Sequence, residues 1–190
     1  DNAFKGCQSF NSINGYANSS ITEGLLYIPP SVLTIGDNAF ANCDSLTEIT
    51  IPGTVKTLSN EVFSGCTGLK VATFQKGITD IGNLIFWNCS SLQDLTISLT
   101  NFENPESNFY VARFFSNTAA SVHSITKITI TDGKILPARV CYNLPYLEEV
   151  VLPDTITEIG DGAFDGCVSL SKINIPDSVT SIGDNVFINC

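Results

Sequence analysis

Positive charge is scarce in this chain: nine Lys and Arg stand against nineteen Asp and Glu, giving a formal net charge of −10 over 190 residues. Nucleic acids and anionic membranes are bound by clustered Lys and Arg. Nine scattered basic residues make no such patch, so neither is expected as a partner. Histidine is rarer still, with His123 alone. No apolar run approaches the roughly 20 residues of a membrane-spanning helix, and no signal-peptide pattern opens the chain. Direct membrane insertion is therefore not expected. Also missing are the Cys-x-x-Cys pairs of zinc sites, a phosphate-binding loop and a nucleophile elbow, so no metal, cofactor or catalytic residue is assigned. A Cys–His pair would need a thiol beside His123. Cys89 and Cys141 are the sequence-local choices, with Arg113 and Glu106 at unknown distance, and neither thiol has an electropositive setting that would lower its pKa. The expectation is a protein that is not an enzyme.

What the chain does have is a repeat. Cys43, Cys66 and Cys89 lie 23 residues apart, as do Cys167 and Cys190. Each sits in the same run of residues: IPPSVLTIGDNAFANCDSLTEI at 28–49, IPGTVKTLSNEVFSGCTGLKVA at 51–72 and LPDTITEIGDGAFDGCVSLSKI at 152–173. A fixed period of this length marks a solenoid. One unit cannot bury its apolar side alone, so the units must stack. With Phe and Cys as rulers, eight coils are marked by Phe4/Cys7, Phe40/Cys43, Phe63/Cys66, Phe86/Cys89, Phe109/Ala112, Cys141/Leu144, Phe164/Cys167 and Phe187/Cys190. In the sixth, Leu147, Val150 and Leu152 fix the register and put Cys141 in the aromatic slot.

Apolar pairs with one residue between them predict seven short strands: Leu26/Ile28, Ile49/Ile51, Ala72/Phe74, Leu95/Ile97, Ile128/Ile130, Val150/Leu152 and Ile173/Ile175. Stacked in parallel they make an inner sheet about 30 Å wide. Pro29, Pro52, Pro153 and Pro176 end their strands, because proline cannot donate to a ladder. Asp37, Asp161 and Asp184 precede an Ala/Val-Phe turn and are expected to cap it. The recurrent Phe is expected to stack into a spine. An odd count of seven cysteines, most of them at one repeated slot, reads as a ladder of small buried side chains rather than a set of disulfides.

Two stretches break the period, 11–24 and 98–146. In the second, Ser98 and Thr131 take the Pro slot, Asn104-Pro105-Glu106 reads as the start of a longer helix, and about ten residues are inserted between Phe115 and Ile125. Insertions in repeat arrays gather at one edge, often the binding edge. Tyr16, Phe102, Tyr110, Arg113 and Phe114 are candidates there. An equally plain reading is that these aromatics cover an irregular coil. Asn18-Ser19-Ser20 and Asn88-Cys89-Ser90 fit the glycosylation pattern, a match frequent by chance. The whole of 1–190 reads as one solenoid domain. Because DNAFKGC matches the middle of a unit and the chain stops at Cys190 before the next Leu, it is expected to be a fragment of a longer array that can self-associate through exposed ends.

The Ile-Pro, Ile-Gly, Ala-Phe and Cys pattern resembles the BspA-like branch of leucine-rich-repeat proteins over nearly the whole chain. It is strongest at 26–97 and 147–190. The resemblance implies an α/β, β-rich solenoid: a curved, right-handed superhelix with a parallel inner sheet of about seven short strands and short helical turns outside. It also implies microbial surface or secreted proteins, several of them adhesive, with no shared catalytic residues.

Two solvent-facing columns can be read across the inner sheet. The residues preceding the strand pairs are Leu25, Glu48, Val71, Asp94, Lys127, Glu149 and Lys172; those between the paired apolar residues are Tyr27, Thr50, Thr73, Thr96, Thr129, Val151 and Asn174. The first varies in charge and is expected to read a partner. The second is uniform in Thr, which suits a solvent-facing strand. The expected function is recognition or adhesion at a cell surface, with a protein or glycan on a host or neighbouring cell as partner. A structural spacer in a larger surface protein is the alternative.

Overall fold

Period-two alternation puts one face of each short segment in a core, and that face then needs a neighbour. In the computed structural model the described residues are 25–102, 111–114 and 124–190, with the backbone alone described for Leu25, Asn101, Phe102, Ala112 and Arg113. Their strands, in chain order, are β1 (Leu25–Leu26), β2 (Thr34–Ile35), β3 (Glu48–Ile51), β4 (Thr57–Leu58), β5 (Val71–Phe74), β6 (Asp80–Ile81) and β7 (Asp94–Ile97). There follow β8 (Lys127–Ile130), β9 (Ile135–Leu136), β10 (Glu149–Val151), β11 (Glu158–Ile159), β12 (Lys172–Ile173) and β13 (Ser181–Ile182).

The inner sheet has seven parallel strands in the order β1-β3-β5-β7-β8-β10-β12. These are the seven expected from the apolar pairs. Their register places Glu48 beside Val71, Val71 beside Asp94, Asp94 beside Lys127 and Glu149 beside both Lys127 and Lys172. Two further parallel sheets, β2-β4-β6 and β9-β11-β13, run along the outer side. Each of their strands is two residues long, too short for an alternation to show in sequence. Prolines act as expected: Val32, Val55, Ile156 and Val179 donate their amides to the carbonyls of Pro29, Pro52, Pro153 and Pro176, closing the turn after each strand.

The outer side is built from turns. Among the described residues the only helices are two single 3-10 turns, Leu99–Phe102 and Val111–Phe114, so most of the short helical turns implied by the resemblance are non-helical tight turns instead. Residues 103–110, the predicted start of a longer helix, lie outside the described residues; its described remainder is the Val111–Phe114 turn. Each complete coil turns on two residues of left-handed backbone four positions apart: Asn38 and Asn42, Glu61 and Gly65, Leu84 and Asn88, Arg139 and Asn143, Gly162 and Gly166, Asn185 and Asn189. Asn and Gly dominate because they tolerate positive φ with little penalty. At Gly65, with φ 76°, a Cβ would also strike the Asn42 side chain.

The core is one continuous column. Phe40, Phe63 and Phe86 stack with centroids 5.5 and 5.8 Å apart, and Phe164 stacks on Phe187 at 5.3 Å. Beside this spine lies the cysteine ladder. The thiols of Cys66, Cys89 and Cys190 donate to the carbonyls of Phe40, Phe63 and Phe164 at 3.0–3.2 Å. Cys167 donates to Cys141 O at 3.0 Å, which confirms Cys141 as the occupant of the aromatic slot.

Two expectations are corrected here. The aspartates do not cap their own turns. Asp37 Oδ1 accepts from the Asn60 amide at 2.8 Å, 23 residues on, Asn60 Oδ1 accepts from the Asn83 amide at 2.9 Å, and Asp161 Oδ1 accepts from the Asp184 amide at 2.8 Å. The slot thus bolts each coil to the next. Phe114, expected at the exposed edge, is instead buried to 1% exposure and packs edge-on against Phe74 and Phe86. The aromatic that meets Phe86 from the fifth coil is therefore Phe114. Phe109, placed in that slot by spacing, lies outside the described residues.

Candidate functional site

Solvent-facing side chains on the inner sheet inherit their spacing from the strands that carry them. Strand neighbours lie about 4.8 Å apart, so a column at one register position is a row of groups at that interval. In the first column Glu48 is exposed, while Val71, Asp94, Lys127 and Glu149 are half-buried by their neighbours and Lys172 is exposed. Its C-terminal half is tied together. Glu149 accepts from Lys172 Nζ at 2.7 Å and lies 3.4 Å from Lys127 Nζ. The hydrogen bond from Lys172, reinforced by the positive charge of both lysines, holds the Glu149 carboxyl below the usual 4.5. Glu48 and Asp94, in the other half, form no ion pair among the described residues.

The second column differs in kind. Thr50, Thr73, Thr96 and Thr129 are consecutive register partners, and Val151 follows beside Thr129. Tyr27, one residue beyond the pairing of Leu26 with Ile49, continues the column at the opposite end and is 57% exposed. Thr hydroxyls at one outer slot of the repeat are consumed internally: those of Thr79, Thr157 and Thr180 each donate to a carbonyl of the preceding coil. The four inner-face hydroxyls have no hydrogen bond among the described residues. This distinction is invisible in sequence, since both columns read simply as Thr.

Of the edge candidates, Tyr16 and Tyr110 lie outside the described residues and so do the side chains of Arg113 and Phe102. The structure therefore brings together Tyr27, Glu48, Asp94, Lys127, Glu149 and Lys172 on one sheet face and removes Phe114 from the surface. Where Ser98 replaces proline, its buried hydroxyl donates to Asp132 Oδ1 at 2.7 Å, and the Thr100 amide donates to the same oxygen at 3.2 Å. That carboxylate thereby joins the fifth coil to the sixth. A polar groove of about 330 Å³ on the outer edge is lined by Asp37, Asn38, Asn60, Glu61, Asn83 and Leu84; its Asp37 and Asn60 oxygens are the ones already engaged between coils.

The thiols are arranged for packing. Hydrogen bonding with Cys43 pulls the Cys66 thiol down, but that with Cys89, together with burial, pushes it up to about 12. Burial, opposed by a hydrogen bond with the Leu144 backbone and helped by nearby Cys190 and Asp165, takes Cys167 to about 12; burial, helped by Cys167, lifts Cys141 well above 9.0. A nucleophilic or metal-binding cysteine needs the opposite shift. His123, the other half of a Cys–His pair, lies outside the described residues. Among the described residues no three His, Cys, Asp or Glu side chains are grouped to hold a metal ion, and no helix is long and apolar enough to cross a membrane.

Comparison with known proteins finds a family match along the entire chain: residues 1–133 and 134–190 match the BspA type Leucine rich repeat region, in six copies. No curated protein matches. Among solved structures, a leucine rich cell surface protein from Faecalibacterium prausnitzii is 28% identical over 90% of this chain and 46% of its own, with a TM-score of 0.49. A leucine-rich repeat protein from Eubacterium ventriosum is 26% identical over 85% of this chain and 35% of its own, with a TM-score of 0.44. The leucine-rich repeat protein of T. pallidum is 20% identical, covering 88% of this chain and 76% of its own at a TM-score of 0.45. The chain thus spans less than half the length of the first two.

Proposed function

The chain belongs to the family of BspA-type leucine-rich-repeat proteins, and from that premise we propose that it is a recognition segment of a surface or secreted protein, binding a protein or glycan through the inner face of its sheet. Families of this solenoid kind are typically non-catalytic. The observation that supports the reading is the unbroken register of the seven inner strands, which carries two columns of solvent-facing side chains across every described coil. Solenoids use such surfaces for binding because the backbone is rigid and each position along a column is set independently. The extremes of the two columns, Tyr27 at one end and Lys172 at the other, define the reach of the surface.

The test is a binding screen of the purified chain against extracellular-matrix proteins and glycans, with charge reversals at Glu48, Asp94 and Lys127 and with Tyr27→Ala. The expected result is a saturable interaction weakened by at least one inner-face variant. Binding that no inner-face variant alters would remove the reading, and absence of any binding would favour a spacer that holds other parts of the protein apart.

A further inference from the structure

Building on the inner-face reading, we infer that the ligand is a neutral, hydroxyl-rich polymer, an extended polysaccharide lying across strands β3 to β8 along the threonine column. Three observations carry it. First, four successive coils present the same donor–acceptor group, Thr50, Thr73, Thr96 and Thr129, in direct register, and none of these hydroxyls is used internally among the described residues. The same residue type in the outer column, at Thr79, Thr157 and Thr180, is tied to a carbonyl of the coil before. A row of identical free hydroxyls at a constant interval of about 4.8 Å discriminates poorly among protein side chains, which vary from position to position. It suits a ligand that is itself repetitive.

Second, the face is nearly neutral. Its two columns hold three carboxylates, Glu48, Asp94 and Glu149, and two lysines, Lys127 and Lys172, leaving one negative charge of the chain's ten on this surface. Glu149 is further neutralised by the lysines on either side. A polycation would find more negative charge on the rest of the molecule, and a polyanion would find little net positive charge here. Third, Tyr27 continues the threonine column with a largely exposed ring. An aromatic face beside hydroxyl groups offers a sugar ring an apolar platform next to hydrogen-bonding partners, as pockets for small polar ligands do.

The experiment measures binding of the folded chain to a panel of soluble neutral polysaccharides (a β-glucan, a mannan and a galactan) by affinity electrophoresis and calorimetry, with and without added salt. The variants are Thr73→Val with Thr96→Val, which remove two hydroxyls and keep the β-branched shape, and Tyr27→Ala; circular dichroism confirms that each remains folded. At least one polysaccharide is expected to bind with little salt dependence. The double threonine variant should bind about tenfold more weakly or worse, since two lost hydrogen bonds of ordinary strength amount to that factor. Failure of all three polysaccharides to bind, or binding indifferent to the threonine pair, overturns the inference. A protein partner captured by the inner face, sensitive to Glu48 or Lys127 reversal and indifferent to Thr73 and Thr96, overturns the polysaccharide assignment while leaving the inner-face reading intact.

Discussion

Truncation of Phe63 to alanine probes the spine at its most enclosed point. The ring has no exposed surface and lies between Phe40 at 5.5 Å and Phe86 at 5.8 Å. Removing a fully buried aromatic costs about 3–5 kcal/mol, through lost transfer energy and the cavity left behind. The two stacked contacts, each about 0.5–1.5 kcal/mol beyond area, fall within that total and argue for its upper half. Phe187 is the internal control. It occupies the same slot, stacks on one ring only among the described residues, Phe164 at 5.3 Å, and is 39% exposed. With one contact and incomplete burial, Phe187→Ala should cost about 1–2 kcal/mol. Both are read by urea unfolding, followed by far-UV circular dichroism and by fluorescence of Trp87, the single tryptophan. Because stability in a stacked array is a sum of neighbour terms, Phe63→Ala should also separate the two probes, with the Trp87 signal lost at lower urea than the bulk signal. Equal losses for the two variants, or a loss at Phe63 below about 1 kcal/mol, would refute the spine as the main source of cohesion.

Other consequences are open to measurement. Leu84 adopts left-handed backbone at φ 58° at a slot filled by Asn38 and Asn185 in two other coils, so Leu84→Asn should stabilise by about 0.5–1 kcal/mol, seen as a rise in Tm. Asp161→Ala removes the acceptor of the Asp184 amide and should cost about 1 kcal/mol, with enhanced hydrogen exchange at that amide. Thiol titration of the native protein near pH 8 should label Cys190 well before Cys66, Cys141 or Cys167, since those three are buried with raised pKa whereas Cys190, though its thiol is also raised, is exposed. The same shifts set an alkaline limit. A thiol whose folded pKa is raised from 9.0 to about 12 contributes stability that is intact below 9 and is lost as pH rises toward 12, and Cys66→Ala should shallow that slope in urea unfolding at stepped pH.

The regular coils were legible because each slot has one chemical job. Apolar pairs gave all seven inner strands, prolines their ends, and the Leu147-Val150-Leu152 register put Cys141 in the aromatic slot. Three features escaped. The strands of the outer sheets are two residues long and leave no period. Asp before Ala-Phe is equally compatible with a local cap and with an acceptor for the next coil, and only the stacked geometry separates the two. In the fifth coil the period itself drifts, so spacing assigned Phe114 to the edge when the gap beside Phe74 and Phe86 draws it inward.

The fifth coil also bears on how such an array folds and diversifies. Asp94 pairs with Lys127, 33 residues on, where Glu48 pairs with Val71, 23 residues on. Loop-closure entropy grows only logarithmically, so the ten extra residues cost about 0.3 kcal/mol. Their price is small because every coil closes on its neighbour and none waits on a distant segment; lengthening the array leaves the sequence separation of its contacts unchanged and lowers its relative contact order. A solenoid of this kind can therefore take a new loop in any coil that keeps its strand and its apolar slots, without slowing the closure of the coils on either side.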